Sequence, residues 1–321
     1  MNRPTSNAAL DTPVAFFIFN RPATTERVFD TIAAARPKTL LIVADGPRRD
    51  RPADAGDCAA TRAITERIDW PCNVRRLYAE SNLGCRFRVS SGLDWVFSQA
   101  EEAIILEDDC LPSRDFFTFC QVLLERYRDD ERVMHIGGTS FQRNNDRTTH
   151  SYYFSKYTHI WGWASWRRAW KRYDVSLRSW PSLRDSSLIE DWFDSRIERD
   201  FWTRVFDELY AGGNTWDGQW TYACWANRGL GIVPARNLVS NIGFGTAATH
   251  TTGDSLDADM PTGQVGAMSH PEHVIRHYPA DVFTFEEHYG GRRLRQSRRW
   301  DHRLRMAIGA YRRRLWRHIV S

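Results

Sequence analysis

The chain has 321 residues, 42% hydrophobic and 26% charged, with a formal net charge of +4. This is the balance of a soluble globular protein, with room for two domains or for one large α/β domain with an appendage. No segment approaches the ~18 consecutive apolar residues of a membrane span, Met1–Thr12 has no apolar run of the kind a secretory signal needs, and the six cysteines form no CxxC pair, which argues against a zinc site and for packed, reduced thiols in a cytoplasm.

In chain order, residues 1–12 are polar and expected to be a disordered N-terminus. Residues 13–20 (PVAFFIFN) are a short apolar run bounded by Pro13 and Asn20-Arg21-Pro22, a predicted buried strand. Val28, Ile32 and Ala35 recur at helical spacing and predict a helix over 23–36. A second strand covers Lys38 to Ala44 and stops at the turn signal Asp45-Gly46-Pro47. A polar stretch that becomes helical fills 48–68, and a third strand covers Asn73 to Tyr78. Asn82-Leu83-Gly84 is a turn into a helix near 85–100, with Val89, Leu93, Val96 and Phe97 on one face. Glu102 to Leu106 is a fourth strand and runs straight into Glu107-Asp108-Asp109. A helix follows from about Asp115 to Arg128, with Ser113 or Asp115 as its cap, and Val133 to Gly138 is a further strand. Strands alternating with helices predict a mostly parallel sheet with right-handed crossovers. Residues 150–235 hold most of the 14 Trp and read as a second lobe packed on that sheet. Residues 251–290 are predicted loop, and 291–321 a basic amphipathic helix.

Ligands of such sheets sit beyond the carboxyl ends of the strands. Three polar motifs fall there: Asn20-Arg21, Asp45-Gly46 and Glu107-Asp108-Asp109. Three successive carboxylates repel one another and cost desolvation unless a cation compensates. A hard divalent cation, Mn2+ or Mg2+, does so through one or two carboxylates and completes its shell with water and phosphate oxygens. A solvated acidic turn is the competing reading. Arg21 suits a diphosphate through charge-assisted, often bidentate bonds, and a surface ion pair explains it as well. Asp45 in an Asp-Gly dipeptide is also ordinary turn chemistry. Arg86, just after Asn82-Leu83-Gly84, is a further candidate for the diphosphate.

The ordered set of motifs resembles a known family. EDDCLPSRDFF is similar to the acidic motif and following helix of GT-A glycosyltransferases, most of all the family of N-acetylglucosaminyltransferase I and its bacterial relatives. FIFNRP resembles that family's first strand and ADGPR the end of its second. HIWGWASWRRAW resembles its glycine-tryptophan acceptor-side loop, and TWDGQW the aromatic-acidic segment that holds the catalytic base. The resemblance spans roughly residues 13–250. It implies a GT-A, Rossmann-like nucleotide-diphospho-sugar transferase fold of the α/β class, with a central mostly parallel mixed sheet flanked by helices. Residues 13–140 would be the nucleotide-sugar-binding half and 141–250 the acceptor-side half.

Carried over position by position, the resemblance implies Asp109 as the direct ligand of Mn2+ or Mg2+. Asp108 and Glu107 would contact ribose and donor sugar, Arg21 the base or diphosphate, and Asp45 the base. An inverting transfer needs a base for the acceptor hydroxyl, and Asp217 in Trp216-Asp217-Gly218 is the candidate; the family pattern has two successive acids where this chain has Asp217-Gly218. Trp216, Trp161, Gly162 and Trp163 would form the acceptor side, since indole rings stack and donate an N–H and glycine permits a tight backbone beside a ligand. His250, after a glycine-rich segment, is a candidate metal ligand as neutral imidazole.

The expected activity is therefore metal-dependent, inverting transfer of a sugar from a nucleoside diphosphate donor, UDP-linked by resemblance, to a glycan or lipid-linked glycan hydroxyl. A nucleotidyltransferase is a weaker alternative, because FNRPATT lacks the glycine-rich phosphate loop expected after its first strand. A non-catalytic carbohydrate-binding or membrane-tethering protein on the same scaffold is the third. Leu304, Ile308, Tyr311, Leu315 and Ile319 recur at helical spacing among Arg303, Arg305, Arg312, Arg313, Arg314 and Arg317. That pattern suits an anionic membrane surface, hence a cytoplasmic protein peripheral on the inner face of the membrane, and equally a helix docked on the body. No base-reading motif for nucleic acid is present.

Overall fold

Every residue of β1 (Val14–Ile18) is buried, as befits a strand covered on both faces of a parallel sheet. It pairs in parallel with β2 (Thr39–Ala44) on one side and β4 (Glu102–Glu107) on the other, and β2 pairs in parallel with β3 (Asn73–Tyr78). The crossovers are α1 (Pro22–Ala35), α2 (Asp54–Ile64) and α3 (Gly84–Gln99). α1 starts with proline in its first turn, buries Val28, Phe29 and Ile32, and stops at Arg36 in the left-handed conformation. The computed structural model of the protein describes residues 9–143, 145–244 and 257–298. His250 and the helical pattern of residues 304–319 lie outside the described residues.

β5 (Cys110–Pro112) follows the acidic run directly, and α4 (Arg114–Arg126) follows β5. The chain then returns through β6 (Val133–Gly137), β7 (Tyr152–Ser155) and β8 (Trp163–Trp166), the helices α5 (Arg167–Trp170), α6 (Trp180–Arg184), α7 (Arg196–Tyr210) and α8 (Asp217–Ala226), and β9 (Leu230–Pro234). The eight-stranded sheet has the order β3-β2-β1-β4-β8-β6-β9-β7. β8 runs antiparallel to both β4 and β6, and β7 antiparallel to β9, so the sheet is mixed. The expected α/β architecture, a mostly parallel mixed sheet flanked by helices, is present. The Trp-rich stretch, expected as a second lobe packed on the sheet, supplies strands to it: β7, β8 and β9 complete the same sheet. They are short and buried on both faces, so their sequence lacks the alternation that marks a strand.

Strand alternation divides the core into two layers. Val14, Phe16, Ile104 and Leu106 pack with α1 and α4. Ala15, Phe17, Ala103 and Ile105 pack with α3 and the tryptophan-bearing helices. In that second layer Trp163, fully buried, stacks on His135 with centroids 5.2 Å apart and on Trp216 at 5.6 Å. Trp220 donates its indole N–H to His135 Nδ1 at 3.2 Å, so Nε2 carries the ring hydrogen and donates to the His159 carbonyl at 3.1 Å. Burial pushes the His135 pKa down to about 3.

β10 (Val239–Asn241) pairs antiparallel with β5, and α9 (Tyr278–Glu287) lies inside the stretch expected to be loop. α9 carries no strong apolar stripe. Its buried face includes Asp281, which accepts from Ser155 Oγ at 2.5 Å and from the Lys156 N–H at 3.2 Å, a tertiary partnership that periodicity does not reveal. The N-terminal segment is likewise tied down sooner than expected. Leu10 is buried and exchanges backbone hydrogen bonds with Ala35 and Lys38. Residues 291–298 are helical. Among the described residues no helix is long and apolar enough to cross a membrane.

Candidate active site

A cleft of 410 Å³ opens at the carboxyl ends of β1, β2 and β4. The parallel crossovers leave these ends free, which is why polar residues accumulate there. Among the described residues, five carboxylates line the cleft (Asp45, Glu107, Asp108, Asp109, Asp217), and three guanidiniums (Arg21, Arg48, Arg88).

The acidic run ends β4. Asp108 is 6% exposed and accepts the Phe19 N–H at 2.9 Å. Arg21, one residue before α1, places Nη1 at 2.6 Å from Asp109 Oδ2 and 3.6 Å from Asp108 Oδ1. Glu107 Oε1 is shut off from solvent and has no hydrogen-bond partner among the described residues. Burial is the largest cause raising the pKa values of Glu107 and Asp108, followed by repulsion from Asp109; Arg21 offsets part of it. For Arg21, burial works against the charge, but Asp108 and Asp109 outweigh it and its pKa is raised.

β10 lays its end across the run. The Ile242 N–H donates to the Asp109 carbonyl at 2.8 Å, and a Cβ on Gly243 would collide with the Asp109 carboxylate. Only glycine permits this approach.

Asp45 lines the cleft, but its carboxylate is fully engaged. Oδ1 accepts from the N–H groups of Gly46 and Leu83, at 2.8 and 2.9 Å; Oδ2 accepts from Asn82 Nδ2 and the Gly84 N–H, at 2.9 and 3.2 Å. A carboxylate has about four acceptor positions, so Asp45 clamps two loops rather than offering a free oxygen to a base. Arg86 also departs from expectation. Nη2 donates to the Val175 carbonyl at 2.7 Å, and the residue is absent from the cleft lining. Arg88 lines the cleft instead, 7% exposed, with Nε and Nη2 unpartnered among the described residues and its pKa lowered by burial. Helical residues two apart point in nearly opposite directions, so only one arginine of Arg86-Phe87-Arg88 can face the cleft.

Asp217 is the first residue of α8, where the helix dipole favours a carboxylate. It lines the cleft and accepts from the Thr215 hydroxyl. Its charge is among the causes raising Glu107. Trp216 edges the cleft while stacking on Trp163. Trp161 lines it too, edge-on to Phe141 at 5.2 Å and to Phe244 at 5.6 Å. Trp163 and Gly162 do not reach it. Gly162 has φ +63°, and a Cβ there would lie 2.7 Å from Val239 Cγ2. This left-handed residue ends the regular alternation, so the two indoles part company: Trp161 goes to the cleft and Trp163 into the core. The sequence reading missed Arg48 and Arg88; the signal for Arg48 was its place one residue beyond the Asp45-Gly46-Pro47 turn.

The residues suit a hard divalent ion. Among the described residues, five carboxylates outnumber three guanidiniums in the cleft, and one carboxylate oxygen is buried without a partner. Among the described residues no group of three or more His, Cys, Asp or Glu forms a cage of its own.

No protein-family model matches the chain, and no curated protein sequence matches it. Solved structures do. A mannosyltransferase from Pyrobaculum calidifontis in complex with GDP-Man and Mn2+ is 17% identical, covering 69% of this chain and 72% of its own, with a TM-score of 0.39. Mouse xyloside xylosyltransferase 1 in its apo form is 9% identical over 67% of this chain and 82% of its own, TM-score 0.31. A 4-diphosphocytidyl-2C-methyl-D-erythritol synthase from Anaerococcus prevotii is 12% identical over 61% and 84%, TM-score 0.31. These are remote likenesses, and the reading of function rests on the cleft itself.

Proposed function

We propose that the chain is a metal-dependent glycosyltransferase that takes a sugar from a nucleoside diphosphate donor. The observation that carries this reading is one cleft in which an acidic run at a strand end, gripped by Arg21, shares space with Asp217 and Trp161. Asp109 would hold Mn2+ or Mg2+. When bound, such an ion neutralises charge on a diphosphate leaving group.

The chain's own residues supply the rest. Arg21 and Arg88 bring positive charge to a dianionic donor that five carboxylates would otherwise repel. Glu107 and Asp108 hold the hydroxyls of donor sugar and ribose. Asp217 takes the proton from the acceptor hydroxyl as its oxygen attacks the anomeric carbon from the face opposite the diphosphate, which inverts that carbon. Trp161 offers an apolar ring to the acceptor. The donor of choice is a UDP-sugar and the acceptor a glycan or lipid-linked glycan hydroxyl. The arginine-rich residues beyond 298 would hold the enzyme at an anionic membrane surface, from the cytoplasmic side.

Incubating the protein with a panel of UDP- and GDP-sugars tests this. The expected result is release of nucleoside diphosphate that needs Mn2+ or Mg2+ and stops with EDTA. Neither release nor binding with any donor, in either metal, would sink the reading. Pyrophosphate release from a nucleoside triphosphate and a sugar phosphate would mark a nucleotidyltransferase instead.

A further inference from the structure

Asp54 opens α2, and its side chain is almost wholly buried, at 5% exposure. All of its acceptor capacity is used. Arg48 donates to it from Nε at 2.5 Å, from Nη2 at 2.9 Å and from its backbone N–H at 3.1 Å. Asn20 Nδ2 donates the fourth bond at 2.9 Å. With about four acceptor positions on a carboxylate, none remains for a ligand, so Asp54 serves as an anchor. It joins the loop after β1, where Asn20 precedes Arg21, to the loop after β2, where Arg48 lines the cleft. Arg48 is fixed on a second side by Phe19, its guanidinium carbon 5.2 Å from the ring centroid.

A guanidinium has five N–H donors. The Asp54 carboxylate takes two, which leaves donors for whatever enters the cleft. Arg21 is committed to Asp108 and Asp109, so its charge is already shared when a donor arrives. Arg48 has one buried carboxylate as partner, and the side-chain entropy that a loose arginine loses on binding is lost here on folding. A planar fork held in this way suits phosphate oxygens.

We propose that Arg48 is a third phosphate-binding arginine of the donor site, beside Arg21 and Arg88, and that Asp54 is its positioning residue. This rests on the donor-site reading above. The alternative is a clamp between two loops that never touches a ligand.

The test is calorimetric titration of UDP and GDP, with Mn2+, into the full chain and into Arg48→Ala, Arg48→Lys, Asp54→Asn and the Arg48→Ala/Asp54→Asn double variant. Thermal melts report whether each is folded. Arg48→Ala is expected to weaken nucleotide binding by about ten- to a hundredfold, the range of a charge-assisted hydrogen bond, and to flatten its salt dependence. Arg48→Lys should restore part of the affinity. Asp54→Asn should weaken binding less, and the double variant should bind no worse than Arg48→Ala alone, because Asp54 acts through Arg48. If Asp54→Asn does not fold, the Arg48 series still decides the phosphate contact. Wild-type affinity in Arg48→Ala overturns the proposal. So does a double variant whose losses add. A wild-type chain that binds neither nucleotide overturns the donor-site reading itself, and this assignment with it.

Discussion

Asp108 and Asp109 carry the same side chain one residue apart, yet their surroundings differ. Asp108 is held by the Phe19 N–H and nearly sealed, while the Asp109 side chain is 15% exposed and faces the space beneath Gly243. That contrast favours Asp109 as the oxygen a metal ion would reach. Asp217 sits apart, on a helix N-terminus, and accepts from the Thr215 hydroxyl. Asp217→Asn should therefore lower kcat by roughly 10²–10⁴ while leaving the nucleotide Kd within twofold; an unchanged kcat, or a Kd that rises by as large a factor as kcat falls, would remove it from the base role. Arg88 makes the opposite trade. A buried guanidinium with unpartnered nitrogens costs stability, so Arg88→Met should weaken donor binding while holding or raising the melting temperature, measured on the same samples. Asp54 gives a pH signature. Its hydrogen bonds from Arg48 are the largest cause lowering its pKa to about 2, beneath the usual carboxylate value of about 3.9. A depressed folded value stabilises fully above the unfolded one and is lost as pH falls through about 2. The stability gap between wild type and Asp54→Asn should thus be constant above about pH 5 and shrink below pH 4, as read by denaturant melts.

At the scale of elements, the glycine in Trp161-Gly162-Trp163 decides what each indole does. Trp161→Ala should raise acceptor KM with little change in the melt. Trp163→Ala removes a fully buried ring stacked on His135 and Trp216 and should cost about 3–5 kcal/mol, measured by urea unfolding. Similar stability losses in both would contradict the divided assignment. The same segment shows what could be read in advance. β1, β2, β3, β4 and α4 announce themselves by apolar runs, turn dipeptides and helical spacing, and they put Arg21 and the acidic run at the strand ends where the cleft opens. β7, β8 and β9 were not legible as strands, because burial on both faces erases alternation. α9 was not legible as a helix, because its buried face is held by Asp281 and its polar partners. The sequence points to Arg86 and passes over Arg88, because nothing local fixes which side of α3 meets the cleft; the hydrogen bond to Val175 does, and Val175 is remote in sequence.

For the whole molecule, topology does most of the positioning. Parallel β1, β2 and β4 deliver Arg21, Asp45 and the acidic run to one rim, and the antiparallel return through β8 brings Trp161 alongside. α8 adds Asp217 at the same cleft. The carboxylate excess there sets the charge problem that a divalent ion and an anionic donor would solve together: neither is favoured alone, and each completes the other's site. Calorimetric titration of UDP and GDP into the wild-type chain and into Asp109→Ala, with and without Mn2+, measures that coupling directly. Wild type should bind at least one nucleotide at least tenfold more tightly with Mn2+ than without, and Asp109→Ala should bind it equally in both. Nucleotide binding that ignores the metal in wild type, or metal dependence that survives in Asp109→Ala, would contradict the assignment of the acidic run.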